Sequence, residues 1–128
     1  MKLYQRHKGK YTLPGTVYMK TVYQIRDYYR LKDRIADVIE GSPDPGEVHV
    51  SGGKQVSVTE QKAIKISGDS QIVAAIEDAL LTVPDEYRDG VWKNIMIGCP
   101  YPSDAARSTY GMYKSKFVYN TAEKLGWI

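Results

Sequence analysis

The chain has 128 residues, of which 42% are hydrophobic and 26% are charged, and its formal net charge is +3. This length predicts one domain with a core of ordinary size, and the composition is that of an ordinary soluble protein. A single cysteine excludes an internal disulfide, and no apolar run approaches the roughly 20 residues that a membrane span requires. The first residues lack the apolar segment of a secretion signal, so we expect a cytoplasmic protein without a membrane partner.

Charge is distributed unevenly along the chain. Residues 1–40 hold nine Lys/Arg against four Asp/Glu, residues 41–83 hold three against six, and residues 84–128 hold six against five. Nucleic acid is the commonest anionic partner of a basic protein face. The basic N-terminal third is therefore compatible with a nucleic-acid partner, although the net charge alone decides nothing.

Residues 1–57 are predicted to form a basic arm, one long helix and a flexible loop. Thr16 can cap a helix that runs to about Glu40, along which apolar residues recur with a nearly helical period. The Pro- and Gly-containing segment 41–57 favours a long exposed loop, with a very short strand at Val48–Val50 as the alternative. The apolar stripe of the helix consists of Tyr18, Val22, Ile25, Tyr29, Ile35, Val38 and Ile39.

Residues 58–128 are predicted to form the remaining helices, which makes the fold all-α and one domain overall. Ser57 to Glu60 has the spacing of a capping box, and Gly68-Asp69-Ser70 is expected to interrupt the helix that follows. Pro84 followed by acids is typical of a first helical turn, and Gly98 to Pro102 must end that helix. The predicted helices span residues 58–66, 70–81, 85–97 and 108–125, with at most a turn or two between Pro100 and Arg107.

The last helix is predicted to have two different faces. Between Ala105 and Ala122 it carries three cations and no acid. A helix, a short turn and a helix with a basic outer face is typical of a helix-turn-helix DNA reader, whereas a few cations also suit any solvated face. Ser103-Asp104 and Ser108-Thr109 are its candidate N-caps. Its apolar face contains Tyr110, Phe117, Val118, Thr121 and Leu125, and its opposite face contains Thr109, Met112, Ser115, Lys116 and Tyr119.

Signatures of catalysis are missing from the sequence. It contains no G-x-S-x-G, no P-loop, no Gly-rich dinucleotide turn and no H-x-x-x-H helix. Cys99, His7 and His49 are too scattered to predict a metal site. We therefore expect neither an enzyme nor a cofactor.

Tyrosine is unusually frequent, with eleven Tyr against one Phe. Tyrosine suits base stacking and protein interfaces, and it also suits the half-exposed edge of a core. Six of the tyrosines lie in the basic N-terminal third, at positions Tyr4, Tyr11, Tyr18, Tyr23, Tyr28 and Tyr29.

A family resemblance rests on five short segments, which are Val58–Ala63, Val83–Arg88, Tyr101–Ala105, Ser108–Tyr110 and the ending Ala122–Ile128. They resemble the small phage and prophage transcriptional regulators of the RinA/ArpU type, whose C-terminal part resembles the last domain of bacterial sigma factors. The resemblance covers the region from Val58 onward and, more loosely, the N-terminal helix. The sequence departs from the family at one point: the family has a full helix before the recognition helix, whereas only Pro100 to Arg107 is available here.

The resemblance implies a transcriptional regulator that binds double-stranded DNA at a promoter, with RNA polymerase as a further partner. The last helix would lie in the major groove, with cations on phosphates and smaller side chains on base edges. The phosphate contacts would be Arg107, Lys114 and Lys116, and the base contacts Ser108, Thr109, Met112 and Tyr113.

The sequence leaves two alternative functions open and also predicts an assembly state. A small terminase-like packaging subunit also carries a helix-turn-helix domain but assembles into rings, and a protein-interaction module would never touch DNA. The apolar stripe of the helix at 16–40 needs a cover, and a second copy of the same helix would supply one. We therefore expect a homo-oligomer, with a dimer favoured.

Overall fold

The structure is a computed structural model that describes residues 10–40 and 57–128, with side chains for residues 10–38 and 67–128. The described residues form five helices and no strand, which confirms the predicted all-α class. The short strand near Val48 and the loop expected over residues 41–56 lie outside the described residues. The helices are α1 (Gly15–Arg26), α2 (Tyr28–Glu40), α3 (Ser57–Leu80), α4 (Asp85–Ile97) and α5 (Arg107–Lys124).

The chain divides into two compact units. One consists of residues 1–27 and 75–128, and the other consists of residues 28–74. We call the first the three-helix unit, because α1 packs against α4 and α5 and these two pack against each other. The grouping differs from the division at residue 57 that the sequence suggested, because α1 packs with the C-terminal helices.

The core of the three-helix unit is built from apolar side chains of every helix in it. On α5, the predicted face is confirmed for Tyr110, Phe117, Val118 and Thr121, all fully buried, whereas Leu125 is only half-buried. Burying each large side chain of this kind contributes roughly 1.5–3 kcal/mol. The fully buried aliphatic residues of this core include Val22, Ile25, Ile76, Val83, Val91, Ile95 and Val118.

The single helix predicted over residues 16–40 is wrong, since two helices separated by Asp27 occupy this stretch. Asp27 has φ −84° and ψ 2°, and its N–H bonds to the carbonyls of the last turn of α1. Leu31 is 2% exposed and Ile25 is fully buried. Leu31 lies six residues after Ile25, which is roughly 240° around a straight helix, so one continuous helix would turn them to different sides. Tyr29, which the predicted stripe included, is 56% exposed.

The two helices predicted over residues 58–66 and 70–81 are also wrong, since α3 runs through both without interruption. A glycine inside a helix costs roughly 1 kcal/mol relative to alanine, which weakens a helix but does not end it. Asp69, within the segment that was expected to interrupt the helix, pairs with Arg34 of α2 in the second unit, at 3.1 Å between Oδ2 and Nε.

Helices α4 and α5 agree with the predicted ranges 85–97 and 108–125 to within one residue, but their caps differ. The N-cap residues of α1, α4 and α5 are Pro14, Pro84 and Ala106, and none makes a side-chain capping bond. Thr82 instead donates to the carbonyl of Ala79 at 2.6 Å, at the end of α3. Residues 98–106, between α4 and α5, contain a turn at 103–104 and no helix.

Gly90 of α4 sets how closely the rest of the unit approaches this helix. A Cβ atom at this position would lie 2.7 Å from Cδ of Pro102 and 2.7 Å from Cε1 of Tyr110. Contacts this short do not occur, so the proline of the connection and the ring of α5 occupy the space of the missing side chain. A side chain here would push the connection and α5 outward.

We expect Gly90→Ala to destabilise the protein, although alanine favours a helix by roughly 0.5–1 kcal/mol. Overpacking a dense core costs typically about 1–3 kcal/mol, which outweighs the gain in helix propensity. Gly68→Ala is the matched control, because it makes the same change in α3 with no atom within 4 Å of the new Cβ. Urea unfolding followed by circular dichroism should show opposite shifts for the two variants, and equal shifts would contradict the close packing at Gly90.

Phe117→Ala should cost about 3–5 kcal/mol, because it leaves a cavity in a rigid core. Phe117 is fully buried, and its ring centroid lies 6.2 Å from that of Trp92. Denaturation followed by tryptophan fluorescence measures the loss. Met112→Ala, on the outer side of the same helix, should change the free energy of unfolding by less than about 0.5 kcal/mol.

Candidate nucleic-acid interface

Most of the predicted site residues on helix α5 are accessible to solvent. Arg107, Ser108 and Met112 are exposed, and Thr109 and Lys116 are half-buried. We call these five residues the outer face of α5. They are five of the seven residues that the sequence analysis assigned to DNA contact.

Ser115, which the sequence analysis placed on the same face, is a correction. Its side chain is only 8% exposed. Residues three and seven positions apart lie on one side of a helix, so Ser115 shares its side with Val118 and Ala122, which are both fully buried. The buried arc of α5 is therefore wider than its apolar residues alone indicate.

The outer face combines cations with small polar and flexible side chains. Arg107 and Ser108 lie in the first helical turn, where the helix dipole favours an anion. No Asp or Glu occurs between Ala105 and Ala122, so no carboxylate on this stretch of the helix competes for Arg107 or Lys116. Such a face can hold phosphates with its cations and meet base edges with Ser108, Thr109 and Met112.

Lys114, assigned to phosphate contact by the sequence analysis, faces α4 in the structure. Its ammonium donates to Oδ1 of Asn94 at 2.8 Å, and Nδ2 of Asn94 donates to the carbonyl of Cys99 at 3.0 Å. Burial, followed by the nearby charge of Arg26, lowers the pKa of Lys114. Nε of Arg26 itself donates to the carbonyl of Ile95 at 3.0 Å. Both cations thus lie at the C-terminal turn of α4, where carbonyl groups favour positive charge.

Tyr113, assigned to base contact, belongs to a cluster of four tyrosines. Its ring stacks on Tyr87 of α4 with the centroids 4.9 Å apart, and Tyr87 meets the ring of Tyr110 edge-on at 5.3 Å. Tyr110 in turn stacks on Tyr101 at 5.1 Å. This tyrosine cluster links α4, the connection and α5, so it fixes the orientation of α5.

Carboxylates lie beside the tyrosine cluster. The hydroxyl of Tyr110 donates to Oδ1 of Asp104 at 2.6 Å. This bond is the largest cause that raises the pKa of Tyr110 to about 12. The charge of Glu86 is the largest cause that raises the pKa of Tyr87. Because these acids repel phosphates, the cluster borders the outer face of α5 on a side that does not suit DNA.

The residues that sequence reasoning missed are Gly90, Asn94, Arg26 and Tyr11. A lone glycine within the helical pattern of α4 is the one usable signal among them, since it often marks a close approach. The partners of Arg26 and Asn94 lie far away in sequence and form no motif. Tyr11 was noted as an aromatic position of the arm, but its contact with Tyr119 of α5 could not be read from spacing.

Comparisons with protein-family models, curated proteins and solved structures found no match. The resemblance to RinA/ArpU-type regulators therefore stays an inference from short segments. No helix among the described residues is long and apolar enough to cross a membrane. Within residues 10–40 and 57–128, no three His, Cys, Asp or Glu side chains lie together as a metal site would require.

We expect two tyrosines to ionise late in the folded protein. Burial raises the pKa of Tyr18 to about 12, and Tyr110 reaches about 12 through Asp104, against an ordinary value of 10.0. An unfolded chain loses these protons first, so the stability that they contribute is complete below pH 10 and is lost as the pH rises towards 12. An alkaline titration followed by phenolate absorbance measures the pH at which these tyrosines ionise in the folded protein.

Tyrosine-to-phenylalanine variants show which residues ionise in the high-pH step of this titration. Tyr18→Phe and Tyr110→Phe should each remove one late phenol, whereas Tyr23→Phe, at a ring that is 54% exposed, keeps both. If the folded parent ionises all its tyrosines in one step near the ordinary value of 10.0, the buried hydroxyls are not protected as described.

Proposed function

We propose that the chain is a non-enzymatic, DNA-binding transcriptional regulator of the RinA/ArpU type that places α5 in the major groove. The observation that carries the proposal is the outer face of α5. Along an 18-residue helix it leaves two cations and three small polar or flexible side chains accessible, with no acid between residues 105 and 122. The promoter and RNA polymerase are included on the ground of the family resemblance alone, and a cytoplasmic location is part of the same proposal.

The way in which α5 is held supports this proposal. Its opposite side packs on α1 and α4, so the outer face is presented by two helices behind it, as in helix-turn-helix proteins. The connection of residues 98–106 is longer than the roughly 3–4-residue turn of that motif. Pro102 packs at Gly90 and Tyr101 stacks on Tyr110, so the middle of this longer connection is tied to α4 and α5.

Each outer-face residue has a proposed role. Arg107 and Lys116 contact phosphates, while Ser108, Thr109 and Met112 contact base edges. Tyr113 and Lys114 act as positioning residues, because the stack on Tyr87 and the bond to Asn94 hold α5 on α4.

Self-association as a dimer is part of the proposal, but its surface differs from the one expected from sequence. Tyr18, Val22 and Ile25 are buried within the three-helix unit and cannot meet a second copy. Met19 and Tyr23 of the same helix are 44% and 54% exposed, so they are the residues of α1 that a second copy could cover. A monomer mass from light scattering at tens of micromolar would remove the dimer from the proposal, and a ring-sized mass would favour the packaging alternative.

Lys116→Glu and Arg107→Ala should weaken binding to every duplex sequence and leave the fold intact. Each lost phosphate contact lowers the slope of log affinity against log salt by roughly one unit. Fluorescence anisotropy with a labelled duplex between roughly 50 and 200 mM salt measures this slope. Thr109→Ala or Met112→Ala should instead reduce discrimination between duplexes, by about 1–3 kcal/mol for a good base contact.

Two lysines of the same helix serve as controls. Lys124→Glu makes the same charge change at an exposed residue of the last turn, and Lys114→Gln removes the lysine that faces α4. Lys124→Glu should keep both the affinity and the slope of the parent, whereas Lys114→Gln should keep the slope but lower the affinity, because Lys114 positions α5 on α4. If Lys124→Glu weakens binding as much as Lys116→Glu, the attraction depends on net charge and not on the outer face. If the Lys116 and Arg107 variants bind like the parent, α5 is not a DNA reader and the protein-interaction alternative replaces this proposal.

A further inference from the structure

A second basic segment meets α5 next to its outer face. Tyr119 lies three residues after Lys116 and seven after Met112, so it continues the same side of the helix. The ring of Tyr11 contacts Tyr119 edge-on, with centroids 5.6 Å apart and an angle of 68° between the planes. Lys10 is exposed, and its Nζ lies 5.2 Å from the centroid of the Tyr11 ring.

This segment is fixed to the three-helix unit at more than one point. Residues 11–14 are not helical, and Leu13 among them is only 4% exposed. Pro14 is the N-cap residue of α1, and its carbonyl accepts the N–H of Tyr18 at 2.9 Å. Lys10 and Tyr11 are therefore held between a buried anchor and Tyr119.

The two segments that meet here share one sign of charge. Residues 1–26 contain six Lys/Arg and no Asp/Glu, and four of these cations precede Tyr11. Residues 105–122 of the second segment contain three Lys/Arg and no Asp/Glu. Lys10 and Tyr11 of the first stretch thus lie beside Tyr119 of the second, and Glu123, one turn further along α5, is the first acid after it. A continuous polyanion is the kind of ligand that such a surface attracts.

Distances along α5 indicate which part of a duplex this surface would meet. Tyr119 lies twelve residues after Arg107, which is roughly 18 Å along the helix axis. The major groove is about 12 Å wide, so a helix that inserts its N-terminal half reaches the wall of the groove before Tyr119. Lys10 and Tyr11 would then lie at the sugar–phosphate backbone and not at base edges.

We infer that the DNA-binding surface is composite, with Lys10 and Tyr11 extending the outer face of α5 onto the phosphate backbone of the same duplex. The inference rests on the proposed function. Lys10 supplies a phosphate contact, and Tyr11 positions it by packing on Tyr119. An edge-to-face ring pair of this kind contributes to stability in any case, so the test separates packing from DNA contact.

The test uses the full chain and a short fluorescein-labelled duplex, with the slope of log affinity against log salt as the readout. Lys10→Gln should lower this slope by roughly one unit, and combination with Lys116→Gln should lower it by roughly two. Lys93→Gln is the matched control, because Lys93 is an exposed lysine of α4 that pairs with Asp89 at 3.1 Å. It should keep the slope of the parent.

Tyr11 variants test the positioning role. Tyr11→Phe keeps the ring edge on Tyr119 and should bind DNA as the parent does. Tyr11→Ala removes the packing and should weaken DNA binding at least as much as Lys10→Gln. Thermal unfolding of each variant shows whether the three-helix unit remains folded, and Lys10→Gln keeps the test decisive if Tyr11→Ala does not fold.

The outcomes separate this inference from the proposed function. If Lys116→Glu lowers the salt slope while Lys10→Gln and Tyr11→Ala keep it, the composite surface is wrong and the role of α5 stands. If Lys10→Gln lowers the slope while Lys116→Glu and Arg107→Ala keep it, DNA is bound without α5. This result overturns both the composite surface and the proposed role of α5. A parent protein that does not bind duplex DNA at low salt overturns both as well.

Discussion

The contact between Gly90 and the ring of Tyr110 is the constraint on which the rest of the three-helix unit depends. Pro102 and Tyr110 fill the space that any side chain at position 90 would need, with the hypothetical Cβ only 2.7 Å from each. The same tyrosine donates its hydroxyl to Asp104 and stacks its ring on Tyr101. The connection between α4 and α5 is thereby tied to both helices, although it contains no helix of its own.

The packing of α5 on α4 also decides which residues of α5 stay accessible to solvent. Tyr113 is held by its stack on Tyr87, and Lys114 is held by its bond to Asn94. The residues that remain accessible are Arg107, Ser108, Thr109, Met112 and Lys116. Packing thus separates the polar side chains of α5 into two sets. Tyr113 and Lys114 fix the position of the helix, and the residues of the outer face stay accessible to solvent. A rigid support of this kind is what a recognition helix requires if its side chains are to select between base edges.

Sequence reasoning succeeded where the signal was local and failed where it depended on distant partners. The bounds of α4 and α5 were predictable, because Pro84, Gly98 and the proline-rich connection mark them and a helical period fills the space between. The break between α1 and α2 at Asp27 was not predictable, because the apolar residues before it and those after it each keep a helical spacing. The only sign of the break in the sequence is that Ile25 and Leu31 are six residues apart, which does not fit a single helical stripe. Gly68 was predicted to end a helix, but α3 continues through it, because tertiary context outweighs a helix-propensity difference of roughly 1 kcal/mol. Lys114 looked solvent-facing because its partner Asn94 lies twenty residues away and forms no motif with it. The burial of Ser115 could have been predicted, because Ser115 lies three residues before Val118 of the predicted apolar face.

Amide chemical-shift changes during titration with a short duplex test the central claim most directly, because they report every residue at once. The account predicts changes at Arg107, Ser108, Met112 and Lys116 and at Lys10 and Tyr11, with little change on the solvent side of α4 around Asp85 and Asp89. Carboxylates on that side of α4 repel phosphates, and Lys93 there is paired with Asp89. Changes that concentrate on α4, or spectra that stay the same at low salt and saturating duplex, would contradict it.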